Sequence, residues 1–287
     1  MKKLLPGTLL LLSMLAFSCY SVKNINTSYA KNRNICKELK GKVLVYMVFV
    51  DSKDHDLWTD FDINTAFKSA GEAADWLMAS AKKNNVQMDI EIKYFQSGKM
   101  RTVALDLPAA TVAKSLSFPS IPIGIYRLNK WADKVAGAVG KKVKFPGEVD
   151  NSIIKKPKDN VELISKLRDI YRVENVALIY LLNNNFTNDI SIVLNTTSDK
   201  QIEYAVASYK SPTTLAREIL KLFGAQDFKE DPFKKGKSND AAIAQWPNDI
   251  MSNAKDPLEK LELGSLTQYL VGWKNTPDSA ATRLLSH

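Results

Sequence analysis

The sequence predicts an α/β (α+β) fold: a mixed twisted sheet with backing helices, one motif-bearing helix and a small C-terminal subdomain. Three observations predict it. Val43 to Val50 is a near-continuous apolar run, the pattern of a central strand buried on both faces. Strand-like segments then alternate with segments of helical period as far as Leu182. Finally, two short strand patterns feed directly into one capped helix that closes at Gly224. At 287 residues, with 45% hydrophobic and 25% charged side chains, the chain can bury the core such a fold requires.

Taken in order, the first strand is followed by an acidic loop from Asp51 to Asp62 that includes His55. Asn64 to Lys82 has helical spacing, with Ala66, Phe67, Ala70, Ala73, Ala74, Trp76 and Leu77 as its inward face. Met88 to Phe95 alternates through Ile90, Ile92 and Tyr94 and reads as a second strand. Between Ser97 and Asp159 Pro108, Pro119, Pro122 and Pro146, with Gly137, Gly140 and Gly147, break the pattern. Short helices are expected there at Pro108 to Leu116 and Arg127 to Ala138, in an insertion packed on the main sheet. Its lysines, Lys141, Lys142, Lys144, Lys155, Lys156 and Lys158, read as a solvated face. Order resumes with a helix at Val161 to Tyr171 and a buried strand at Val176 to Leu182. Strands at Asp189 to Asn195 and Ile202 to Tyr209 flank a polar turn. A last helix is expected at Leu263 to Gly272, before a polar tail.

The N-terminus reads as an export signal. Lys2 and Lys3 precede an apolar run from Leu9 to Phe17, too short for a comfortable membrane span, that ends at Ala16-Phe17-Ser18-Cys19. That ending resembles a bacterial lipobox, which implies lipidation of Cys19; Tyr20, rather than Asp, after it points to the outer membrane. Cys36 is then left unpaired, or joins Cys19 in a disulfide if Cys19 is not lipidated. The formal charge of +9 is spread along the chain and suits a solvated basic surface or anionic envelope material. No basic-aromatic motif accompanies it, and export argues against nucleic acid.

The stretch with the most chemistry is Ser211-Pro-Thr-Thr-Leu-Ala-Arg-Glu-Ile-Leu-Lys-Leu-Phe-Gly-Ala-Gln-Asp227. Ser211 suits the N-cap, Pro212 the first helical position and Gly224 the residue just past the end. Leu215, Ile219, Leu222 and Phe223 form an apolar stripe. Arg217 and Lys221 lie four apart and share a face, with Glu218 beside them.

The spacing of Arg217, Glu218, Lys221, Gly224 and Asp227 resembles the metzincin-type zinc peptidase signature H-E-x-x-H-x-x-G-x-x-H/D, with both helical histidines replaced by cations. The resemblance implies a general-base position at Glu218, a turn at Gly224, a third-ligand position at Asp227 and a methionine turn at Met251. It implies a metzincin-like domain over 41–287, with the insertion at about 97–159 and a C-terminal subdomain at about 225–287, after a signal peptide over 1–18 and a flexible tether over 19–40.

The departures from that signature decide the chemistry. Arginine keeps its proton and offers no lone pair, so Arg217 cannot ligate a metal. The chain has two histidines, His55 and His287, so a two-histidine site on this helix is impossible. The expectation is therefore a non-catalytic binding or scaffolding lipoprotein of the bacterial envelope, with no cofactor. Its partners are the membrane, through the lipid anchor, and a peptide or anionic envelope polymer. In place of zinc, Arg217 and Lys221 would neutralise Glu218 and Asp227 in a buried cluster. Two alternatives remain open. One is a metal-dependent peptidase whose unusual zinc site is built from Asp227, Glu218 and the acidic loop. The other is an unrelated α/β envelope binding protein whose helix matches the motif by chance; an ordinary amphipathic core helix there would turn its charged residues to water.

The acidic loop, with Asp51, Asp54, His55, Asp56, Asp60 and Asp62, lacks the EF-hand spacing, and its Asp62 suits a helix cap. A Ser–Lys hydrolase using Lys221 requires a serine brought close in space, and no sequence pattern identifies one.

Overall fold

In the computed structural model, which describes residues 38–53, 56–116, 119–142, 156–183, 190–194, 204–208, 211–228 and 237–285, β1 (Gly41–Asp51) runs through the sheet interior. β2 (Met88–Tyr94) pairs with the first part of β1, and β3 (Thr102–Ala104) continues along the same side at Phe49 to Asp51. On the other side lie β4 (Asn175–Leu182), β6 (Tyr204–Ser208) and, at the edge, β5 (Ser191–Leu194). The order is β2-β1-β4-β6-β5; all pairings are parallel except β5 with β6. The described residues thus form a mixed α/β fold with a six-stranded, mostly parallel sheet and eight helices.

The two-residue period of each strand divides its side chains between two cores. Val43, Val45, Met47 and Phe49 of β1 face one side; Leu44, Tyr46, Val48 and Val50 face the other. β4 divides likewise into Ala177, Ile179 and Leu181 against Val176, Leu178, Tyr180 and Leu182. All eight residues from Val43 to Val50 are buried, which a polar residue at any of them would disrupt. Each large apolar side chain so buried contributes about 1.5–3 kcal/mol of transfer free energy.

The first core lies under α1 (Asp60–Lys83) and α5 (Pro212–Leu222). Thr59 and Asp62 cap α1 reciprocally, so this loop carboxylate works as a helix cap. Ala66, Ala70, Ala73, Ala74 and Leu77 are buried as the spacing predicts, whereas Phe67 is 37% exposed and packs edge-on against Tyr94.

The second core is covered by α3 (Ile121–Lys142) and α4 (Asn160–Tyr171), with α2 (Ala109–Leu116) packed on α3. The proline-broken region is therefore half of the core's cover. It begins with a sheet strand, and Leu128, Trp131 and Val135 of α3 are buried. Tyr180 donates to Asn160 Oδ1, and Asn160 donates to Asp133 at 2.7 Å, which pins β4, α4 and α3 together.

Beyond α5 come α6 (Lys237–Gln245), a 3₁₀ turn (Leu258–Lys260), α7 (Ser265–Leu270) and α8 (Ser279–Leu285). α8 occupies the stretch read from sequence as a polar tail; it and α6 are both short and carry too little apolar period to announce themselves. This C-terminal part is continuous with the first core through Phe228, Ile250, Met251 and Leu266. Leu39 ties it to the start of β1, since its N–H donates to Val271 O and its carbonyl accepts from the Trp273 indole at 2.8 Å. No helix among the described residues is long and apolar enough to cross a membrane.

Candidate functional site

α5 is placed by its ends. Ser211 Oγ accepts from the Thr214 N–H at 3.2 Å, Pro212 opens the helix, and Thr213 Oγ1 donates to Asp256 O at 2.9 Å. Gly224 ends it with φ of +97°, a left-handed geometry that favours glycine, and the Ala225 N–H returns to Leu220 O. The chain then turns so that Asp227 comes back alongside the helix.

Lodged between sheet, α1 and the C-terminal part, α5 has no solvent-facing stripe: Arg217, Glu218 and Lys221 are 8%, 1% and 8% exposed. An amphipathic helix turning its charges to water is therefore excluded for this stretch. Buried charges must be paired, and these are, in two groups.

In the first group, the Arg217 guanidinium donates through Nη2 to Asp227 Oδ2 and through Nη1 to Ile250 O at 2.5 Å. The neighbouring Met251 is fully buried, and its carbonyl accepts from the Phe228 N–H at 3.1 Å. Asp227 and the Ile250–Met251 turn are thus tied together through the guanidinium. Asp249, completely buried, holds that turn by accepting from the N–H groups of Met251 and Gly264 and from Thr267 Oγ1, all within 2.8 Å. Burial pushes its carboxyl up to about 6, against the pull of those three donors and of Arg217. Position 264 has to be glycine: a Cβ there would sit 2.8 Å from Asp249 Oδ2 and 2.7 Å from Trp246 Cδ1.

In the second group, Glu218 and Lys221 meet through Ser191 on the edge strand β5. Ser191 Oγ donates to Glu218 Oε1 at 2.5 Å, Lys221 Nζ donates to Ser191 Oγ at 2.8 Å, and the two charged groups are 3.9 Å apart. Strand parity explains the placement: Ile192 and Leu194 go to the second core, so Ser191 and Val193 turn toward α5.

Ser191 and Asp249 are the residues sequence reasoning missed. The signal for Ser191 was a lone hydroxyl at an inward position of a short strand. Asp249 stands beside the methionine turn, and only the fold brings Gly264 and Thr267 to it.

The described carboxylates Asp51, Asp60 and Asp62 of the acidic loop go to separate partners. Asp51 accepts from the Trp58 N–H, Asp62 caps α1, and Asp60 pairs with Arg101 at 3.0 Å. Among the described residues no three His, Cys, Asp or Glu side chains group as a metal site. Cys19, Cys36, Asp54, His55 and His287 lie outside the described residues. A cavity of about 600 Å³ opens near the α5 N-terminus between Trp76, Thr213, Lys255 and Leu258; the charged side chains of α5 do not line it. Compared with family models, curated proteins and solved structures, the chain finds no match.

Proposed function

We propose that this chain is an exported lipoprotein, anchored through Cys19 in the bacterial outer membrane, whose metzincin-like domain has exchanged a zinc site for a buried ion pair. On this reading it serves the cell envelope by binding, and it has no metal-dependent peptidase activity. The observation that carries the reading is that Arg217 reaches both Asp227 and the Ile250 carbonyl beside Met251, while Lys221 turns to Ser191 and Glu218 instead. On this reading Arg217 stands at one histidine position of the signature, Asp227 at its third-ligand position and Met251 at its methionine turn, and the guanidinium supplies the positive charge that zinc would have supplied. The element order after β1 fits the same reading: helix, strand, a long insertion, helix, three strands, then the motif helix.

The ligand fits the edge of the sheet. β5 ends the strand order, so one side of its backbone ladder is unclaimed by a strand among the described residues. An extended peptide can add there by main-chain hydrogen bonding, with the α5 charges alongside. An anionic envelope polymer would instead use the basic surface.

Changing Arg217 and Lys221 together to histidine tests the ancestry. The change frees Asp227 from its partner and restores two imidazoles one turn apart. The double variant is expected to bind about one zinc per chain with tetrahedral N/O ligation, while the wild-type protein purifies without stoichiometric zinc. A folded double variant with no zinc affinity, or one tightly bound zinc in the wild type, overturns the reading.

A further inference from the structure

We infer that Ser191, Glu218 and Lys221 form a metal-independent acyl-transfer site, with Ser191 as its nucleophile. This goes beyond the reading above and does not rest on it, since the three side chains would react in the same way in any fold that held them so.

The direction of each proton follows from the chemistry of the groups. Lysine has donors only, and a carboxylate has acceptors only. The Lys221 ammonium must therefore donate to Ser191 Oγ, at 2.8 Å, and the serine proton must point at Glu218 Oε1, at 2.5 Å. A hydroxyl so placed has its proton already on the path to a base and a positive charge against its oxygen. A base within hydrogen-bond reach is what activates a serine, and the ammonium on its oxygen favours loss of the proton to that base. Glu218 and Lys221 are one turn apart on a helix that is buried and capped at both ends, so neither has to be ordered when a substrate arrives. Glu218 is 1% exposed, whereas Ser191 is only half-buried and sits on the edge strand. The base is thus kept dry, and the nucleophile's strand lies at the sheet edge.

The substrate class is a carboxylic acyl compound, an ester or an amide, presented in extended form at the β5 edge. Ser191 Oγ attacks the carbonyl carbon as its proton passes to Glu218 Oε1. The tetrahedral intermediate collapses, the bond to the leaving alcohol or amine breaks, and Glu218 returns the proton to that group. An acyl ester remains on Ser191. Water then attacks it, giving its proton to Glu218, which passes it to the departing Ser191 oxygen; the carboxylic acid leaves.

An alkyl fluorophosphonate reads this directly, because serine attack forms a P–O bond, expels fluoride and leaves a stable adduct. The full-length protein is expected to gain one adduct, mapped to Ser191 and absent from Ser191→Ala. No adduct, or adducts scattered over other serines, overturns the proposal. Glu218→Gln should slow labelling roughly a hundredfold, the scale of general-base assistance, with circular dichroism reporting its fold. Glu218→Asp, which keeps the carboxylate one methylene farther back, should recover part of the rate. Full-rate labelling in folded Glu218→Gln would remove the carboxylate from the mechanism.

Discussion

The two ends of the α5 charge row solve one problem in different ways. Arg217 and Lys221 are both cations on one buried helix, each 8% exposed, so burial alone does not distinguish them. Arg217 meets its carboxylate directly and spends a second donor on the Ile250 carbonyl, sealed under a turn that Asp249 holds in place. Lys221 meets its carboxylate through the hydroxyl of a half-buried serine on an edge strand. A direct pair fixes structure. A pair with a hydroxyl between its members has a proton that can move. The comparison assigns the first end to stability and the second to chemistry, and it can be broken at either end.

The largest expected effect is at the sealed end. Asp227→Ala leaves the Arg217 guanidinium buried without its counter-charge, which costs about 3–5 kcal/mol by the general behaviour of broken buried pairs. Chemical denaturation of wild type and variant should show that loss. A loss below about 1 kcal/mol would mean that water or another group takes over, and that Arg217 and Asp227 are not a structural pair. Replacing both by well-packed apolar residues should cost much less than removing Asp227 alone, since the desolvation of both ions disappears with them.

Next in size is the pH response of the turn beneath that pair. The Asp249 carboxyl is raised from 3.8 to about 6, chiefly by burial. The folded protein therefore holds this proton more tightly than the unfolded chain does. The stability it contributes is fully present below pH 3.8 and is lost as pH rises through 6, with a size of about 3 kcal/mol. Asp278 slopes the other way: the Ala281 N–H at the start of α8 holds its carboxyl below the ordinary range. Comparison with Asp249→Asn isolates the Asp249 term. Unfolding free energies measured from pH 4 to pH 7 should fall more steeply in wild type than in the variant. Parallel curves would show that Asp249 does not titrate in this window, and would leave the sealed end without its pH-dependent support.

Much of this was legible in the sequence, and what was missed has a physical cause. β1 and β4 announce themselves because a strand buried on both faces has no polar positions, and α5 because Ser211, Pro212 and Gly224 mark its ends. The positions of Arg217 and Asp227 could be read as a pair from helical spacing plus one turn. The contact between Lys221 and Ser191 could not. It joins residues 30 apart in the chain, and it depends on which face of β5 points toward α5. Phe67 fits the helical stripe and yet is partly exposed, because Tyr94 at the end of β2 gives its ring an edge to pack on. The two short helices of the C-terminal part lack the length for period to outweigh composition.

The smallest effect is the one that separates the two ends most sharply. Ser191→Ala removes one hydroxyl, a donor to Glu218 and an acceptor from Lys221. The two charged groups are already 3.9 Å apart, so they can close on each other and keep the charge balanced. Ala also fits a strand that is half-buried at this position. The expected loss is about 1 kcal/mol, the net worth of an ordinary hydrogen bond, against several at Asp227. A structural hydroxyl bridge would behave otherwise: if the two ions could not close the gap, each would lose a partner and the loss would approach that of Asp227→Ala. Denaturation of the two variants side by side therefore tests whether Ser191 is there to hold α5 in place. A small loss means that it is not.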